Sequence, residues 1–313
     1  MIEWGVNALN HDASIAVFVD KKLEFHRRSS EYSGVIGDSD LNSDIIDNAL
    51  RLGLPSKVYW YERPIIKKFR QLYARQYRLA FDFKEMPKRY LDQWLSEYSI
   101  VYNDHHLSHA AAGYYTSPFQ EAAVVVIDAI GEWTSMSIWL GKDDRLTCLW
   151  EDNYPKSLGL FYSAFTQLIG LKATKEEHLL QQMSSKGDPS RFSTLVESYL
   201  NKNLHRGVTS WPMLVDSDRD RQDIAAAVQQ VFEQQVDKIM ARAKMMTERT
   251  NLVYMGGCAM NSQYNQRLAN EWDKVWSLPW PGDASSSVGA WCAKNRARVD
   301  YPNKVVKHLT IRV

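Results

Sequence analysis

The stretch AAVVVIDAI at residues 122–130 is an apolar run interrupted only by Asp128. A run this short and this rich in valine reads as a strand buried on both faces, as in the centre of a sheet with parallel neighbours. A turn, GEW, follows it, then a second strand at 134–140 and a third at 146–152. The same order occurs earlier in the chain. An apolar strand at 4–9 is followed by the polar turn NHDA, the strongly β-favouring SIAVFVD at 14–20, and a tight turn into a strand at 22–29. The two copies share little identity. Their common order predicts a duplicated α/β unit.

Working outward, the spacing predicts helices over 40–54, over much of 63–98, and over 159–170, 190–203, 220–246, 260–271 and 285–298. Strands are expected at 57–62, 100–102, 251–255 and 274–278, and a surface loop at 205–220. Alternation of this kind implies a mixed, largely parallel sheet with helices on both faces. The expected division is a first subdomain over 1–118 and a second over 119–313.

With 313 residues the chain can bury a bilobal core. A formal net charge of +1 excludes a global field toward nucleic acid or membrane and leaves only local patches. Three cysteines, Cys148, Cys258 and Cys292, form no CxxC, which reads as a reduced, cytosolic protein without a disulfide framework. MIEWGVNALNHD lacks the pattern of a signal peptide, and no stretch has the roughly 20 apolar residues of a membrane span.

Chemistry concentrates in DHHLSH. His105 and His109 lie four apart on a predicted helix capped by Asn103 or Asp104, so both imidazoles share one face. With a distant carboxylate they make a set of ligands for a divalent metal with open positions. Two hydrogen-bonded core histidines would show the same spacing. His106, turned away by about 100°, is expected to pack or hydrogen-bond. In NLVYMGGCAMN, Gly256 and Gly257 let a backbone approach a flat or charged ligand, the next helix offers free N–H groups, and Asn261 can bond a ribose or phosphate. A plain strand-to-helix turn is the alternative. In PWPGDASSSVGA, Asp283 is either a helix cap or the distant carboxylate ligand. Asp12 and Asp128 sit at the polar turns of the two repeats, which should face each other across a cleft, and Asp128 falls at a sheet's carboxyl edge.

Together these pieces resemble the O-carbamoyltransferases of the nodulation, cephamycin and tobramycin type, with a viral member as one reading. The resemblance rests on eight stretches in order: WGVNALNHDASIAVFVD, YWYERPIIKKFRQL, DHHLSHAAAGYYTSPF, VVVIDAIGEWTS, SLGLFYSAFTQLIGL, DIAAAVQQVFE, YMGGCAMNSQYNQRL and PGDASSSVGA. It implies the duplicated fold of actin, sugar kinases and heat-shock proteins, akin to the tRNA threonylcarbamoyladenosine synthase. It implies that His105, His109 and Asp283 hold a metal with Asp128 close by or ligating, the metal being iron, with zinc or manganese as alternatives. Gly256, Gly257 and Asn261 would hold the adenylate of an ATP-derived carbamoyl-adenylate donor, itself made from carbamoyl phosphate and ATP. His11 and Asp12 would lie beside the transferring group, and Asp223 would be a base or nucleotide contact, unless it is only a helix N-terminal aspartate. Asp12, His11 and Asp223 are all candidates to take the acceptor's proton.

Two departures stand out. EEHLLQQMSSKG at 176–187 replaces a stretch like EYKVMGLAPYG, losing a lysine and a glycine suited to donor phosphate. The YrdC-like domain that makes carbamoyl-adenylate in the family is not expected within these residues, so a separate partner is one source of the donor. For the acceptor, RPIIKKFRQLYARQYR carries six basic and no acidic residues among aromatics, and 294–312 is basic as well. Such strips hold phosphates and stack bases. A 5-hydroxymethylpyrimidine in DNA or a nucleotide is the first expectation, an antibiotic or sugar the second. Rival readings are a tRNA threonylcarbamoyl transfer enzyme, a sugar or acetate kinase, and a nucleotide-binding module without activity.

Overall fold

A computed structural model describes residues 1–83 and 86–301. Its ten strands are β1 (Ile2–Asn7), β2 (Ser14–Val19), β3 (Lys22–Arg28), β4 (Lys57–Trp60), β5 (Ser99–Tyr102), β6 (Glu121–Ile127), β7 (Thr134–Lys142), β8 (Arg145–Asn153), β9 (Asn251–Met255) and β10 (Lys274–Trp276). They form two five-stranded sheets of one topology, ordered β3-β2-β1-β4-β5 and β10-β9-β6-β7-β8. In each, the first strand pairs antiparallel with the second and parallel with the fourth. The duplication read from strand order is therefore present in the hydrogen-bonding pattern.

The valine run of β6 lies between two cores. Val124 and Val126 face the core between the sheets, whereas Ala123, Val125 and Ile127 face an outer core with the helices Leu158–Leu168 and Asp218–Thr247. With both faces dry, the usual polar alternation of a half-exposed strand disappears.

Two helices fill the space between the sheets, His105–Thr116 and Ser286–Asn295. Small residues set their approach. A Cβ on Gly289 would lie 1.7 Å from the Ser108 carbonyl oxygen, and one on Gly5 of β1 would lie 1.8 Å from that of Ser287. The chain after Leu278 thus returns to the core built on the first sheet, which draws residues from both sides of the expected division at 118.

Several boundaries differ from the sequence expectation. The 190–203 helix is a 3-10 turn at Pro189–Arg191 followed by only Ser193–Glu197. Ser193 Oγ donates to the Pro189 carbonyl and Ser198 Oγ to that of Leu195, local bonds that compete with a regular helix. The last helix stops at Asn295, where Arg296 turns left-handed so that Arg298 can donate to the carbonyls of Tyr114 and Ser117. A helix not expected from the sequence runs over Glu177–Ser184. Much of the basic 294–312 stretch lies outside the described residues. Among those described, no helix is long and apolar enough to cross a membrane.

The helix contact gives a direct test. In Gly289→Ala the added methyl meets backbone, which cannot rotate away, so overpacking should cost about 3 kcal/mol or more. Denaturant unfolding measures it; a loss under about 0.5 kcal/mol would mean the helices are free to separate.

Candidate metal centre

Asp104 starts the 105–116 helix in extended conformation, its side chain accepting from the Leu107 N–H. This cap sets the helical phase that turns His105 and His109 to one face. Their Nε2 atoms lie 3.1 Å apart. Asp128, at the end of β6, brings Oδ2 to 3.3 Å from His105 Nε2 and 3.8 Å from His109 Nε2. Asp283, just before the final helix, brings Oδ1 to 3.4 Å and 3.2 Å from the same two nitrogens. One atom from each of these four residues falls within 4.8 Å of all the others. None of the four residues is more than 4% exposed.

A second ring of contacts aims these side chains. Asp128 Oδ1 accepts from the Gly257 N–H at 3.0 Å, and Asp283 Oδ2 accepts from Asn10 Nδ2 at 3.1 Å. His109 Nδ1 meets Ser286 Oγ at 3.3 Å, and His105 Nδ1 faces Glu62 Oε2 at 3.8 Å, with Lys67 bonded to the same glutamate. The carbonyl of Ala284, next to Asp283, accepts from Ser14 Oγ at 2.7 Å and faces His26 Nε2 at 2.9 Å. His106 bonds Ser137 Oγ and takes no place among the four, as its angle on the helix predicts.

The electrostatics follow from this crowding. Burial opposes charge on His105, but Asp283, Asp128 and Glu62 outweigh it and raise its proton affinity well above the ordinary imidazole value. Burial likewise opposes ionisation of Asp128 and Asp283, yet the facing imidazoles hold both carboxyls below their usual range. Burial and the neighbouring imidazoles of His105 and His109 keep His106 neutral.

The residues present fit a divalent cation. The two imidazole Nε2 atoms lie only 3.1 Å apart, and the buried Asp283 Oδ1 has no hydrogen-bond donor. Two neutral nitrogens with two carboxylate oxygens form a ligand set suited to iron, zinc or manganese.

The remaining sequence candidates separate. His11 and Asp12 lie at the edge of this group: His11 Nε2 is 3.5 Å from Asp283 Oδ2, and its Nδ1 is 3.0 Å from Asp12 Oδ2. The turn carrying them is held by Asn7, whose amide donates to both their carbonyls. Burial lowers the proton affinity of His11, but Asp283 and Asp12 prevail and raise it. Asp223 is not brought to the group. Its carboxylate accepts from the Asp188 N–H and pairs with Arg191, tying the long helix to the neighbouring turn.

Gly256 takes φ 91°, and a Cβ there would strike the Ile127 carbonyl, so this glycine seats β9 against the end of β6. The Gly257 N–H is already committed to Asp128. Asn261 caps the helix Ser262–Leu268 and exchanges amide bonds with Gln229, so its side chain is engaged within the protein rather than free for a ribose. Asn10, Glu62 and Ser286 were missed in the sequence. Glu62 alone had a signal there, standing at the end of a strand as Asp128 does.

Residues 70–292 match the family described as Carbamoyltransferase N-terminus. The uncharacterized protein sll1178 of Synechocystis sp. is 28% identical over 341 residues, covering 91% of this chain and 55% of that protein. Nodulation protein NolO of Bradyrhizobium diazoefficiens is 24% identical over 204 residues, covering 60% of this chain and 37% of that protein. The chain thus spans about half the length of the first of these relatives, and less of the second. Among solved structures, component A of (R)-2-hydroxyglutaryl-CoA dehydratase from Acidaminococcus fermentans matches with a TM-score of 0.51 at 13% identity, covering 95% of this chain and 99% of that one. That likeness concerns the fold, the duplicated type shared by actin, sugar kinases and heat-shock proteins. With its family match spanning well over half its length, the chain belongs to the carbamoyltransferase N-terminal domain family.

Proposed function

We propose that this chain transfers a carbamoyl group from carbamoyl-adenylate to an acceptor hydroxyl, using a divalent ion, iron first, held by His105, His109, Asp128 and Asp283. The observation that carries the reading is the buried meeting of two imidazoles and two carboxylates between the duplicated sheets, in a chain of carbamoyltransferase family. A 5-hydroxymethylpyrimidine of DNA or a nucleotide is the acceptor proposed. A YrdC-like adenylate-forming activity supplies the donor from carbamoyl phosphate and ATP.

The carbamoyl carbon is a weak electrophile because its nitrogen donates into the carbonyl. Positive charge beside the carbonyl and phosphate oxygens is the chemistry such an ion supplies when bound. The acceptor oxygen bonds to the carbonyl carbon, the bond from that carbon to the phosphate oxygen breaks, and AMP departs. The hydroxyl proton passes to His11 in its neutral form, the side chain being 38% exposed at the edge of the group. Asp12 orients that imidazole through Nδ1, and the flanking carboxylates stabilise the charged ring. Asp223, turned into an ion pair elsewhere, has no part in this step.

One equivalent of metal is expected on the purified chain, with His105→Ala, His109→Ala or Asp283→Asn losing it by elemental analysis. Protons compete for the same nitrogens. Because His105 binds its proton unusually tightly without an ion, metal affinity should rise with pH and weaken as the pH falls and that ring takes up its proton. An affinity independent of pH would contradict ligation by His105.

Incubation with carbamoyl phosphate, ATP, an adenylate-forming partner and a 5-hydroxymethylpyrimidine nucleoside should give a product carrying CONH2 in place of one hydrogen. His11→Ala should lower kcat by about 10²–10⁴-fold with metal retained. Asp223→Asn should leave kcat within about threefold, its effect falling on stability. Full turnover in His105→Ala/His109→Ala would remove the proposal.

A further inference from the structure

The helix Pro64–Tyr73 is amphipathic the wrong way round. Its buried residues are Pro64, Arg70 and Gln71, whereas Ile65, Phe69, Leu72 and Tyr73 are 62%, 60%, 40% and 63% exposed. On the inward face Arg70 Nε donates to the Glu132 carbonyl and Arg70 also reaches Gln76, while the buried Gln71 Oε1 has no hydrogen-bond donor. The next residues extend the outward face with Tyr77, Phe81 and Phe83, each more than half exposed. Every strongly exposed aromatic ring among the described residues lies in this segment. A surface helix normally buries its apolar stripe, so this one is built to be covered by something else.

The charges say by what. No acidic residue occurs from Arg63 to Phe81. Arg75 and Arg78 are exposed and meet no carboxylate among the described residues. Rings interleaved with unpaired guanidinium groups suit a polyanion bearing flat bases, the chemistry of a nucleic-acid single strand. Arg63 and Tyr73, at the two ends of the helix, lie against the turn beside the metal centre. Arg63 bridges Glu132 and Asp104, the cap of the 105–116 helix, and Tyr73 lies 5.3 Å from Trp133. A Cβ on Gly131, in the same turn, would lie 2.9 Å from the His105 ring.

We propose that the outward face of residues 64–83 binds a single-stranded nucleic acid, with bases stacked on Phe69, Tyr77 and Phe81 and phosphates held by Arg75 and Arg78. This deepens the acceptor reading above, placing the hydroxymethyl base on a strand that runs past the metal centre.

The probe is a fluorescent oligothymidylate of about twenty nucleotides, read by anisotropy at two salt concentrations. The intact chain should prefer it to duplex of equal length. Phe69→Ala/Phe81→Ala should weaken binding about tenfold or more, and Arg75→Gln/Arg78→Gln should flatten the salt dependence. Lys274→Ala/Lys294→Ala, equal in charge but elsewhere, should do neither. All four residues of the test pairs are exposed, and a thermal melt checks that each variant folds. Binding unchanged in both test pairs overturns the proposal, as does absence of binding with the face taken up by self-association or by a protein partner. Carbamoyl transfer to the free nucleoside, run in parallel, separates the two claims. Transfer without strand binding sinks only the surface, and strand binding without transfer sinks only the acceptor reading.

Discussion

Four ionisable side chains are gathered where water does not reach, and the architecture has to compensate for that. Burying two carboxylates and two imidazoles side by side is expensive unless each is paired or bound to an ion. Here the ligands come from three places: the 105–116 helix, the end of β6, and the segment before the last helix. None of these could hold an ion alone. Their meeting depends on backbone contacts that only glycine allows, at Gly5, Gly256 and Gly289. The same contacts that close the core therefore aim the ligands.

The two sheets contribute differently. The first sheet grips the Asp283 segment through Ser14 and His26, both directed at the Ala284 carbonyl. The second supplies Asp128 and fixes its free oxygen with the Gly257 N–H. A cation among these groups would join one sheet to the other, so its binding should be coupled to the relative position of the lobes. His11, partly exposed and steered by Asp12, stands at the edge of the group.

Much of this was legible in the sequence because it is carried by local patterns. The β6 run is apolar on both faces because both faces are buried, and the helix carrying the histidines announces itself by its aspartate cap and the four-residue spacing. What was not legible is set by distance along the chain. Asn261 looked free for a ligand, but its partner Gln229 lies 32 residues away. Asp223 looked like a possible base, but Arg191, 32 residues earlier, claims it. The helix at 177–184 has few buried residues, Leu180 and Ser184, and so leaves almost no periodic trace. The outward apolar face of 64–73 escaped because periodicity reports an amphipathic helix without reporting which side faces the solvent.

X-ray absorption at the edge of the metal carried by the purified chain tests the central claim most directly. Two imidazole nitrogens with carboxylate oxygens at about 2.0–2.2 Å, and loss of the imidazole scattering in His105→Ala/His109→Ala, is the result that follows from the geometry. A sulfur-bound or purely aqua-coordinated ion, or imidazole scattering that survives the double substitution, would contradict it.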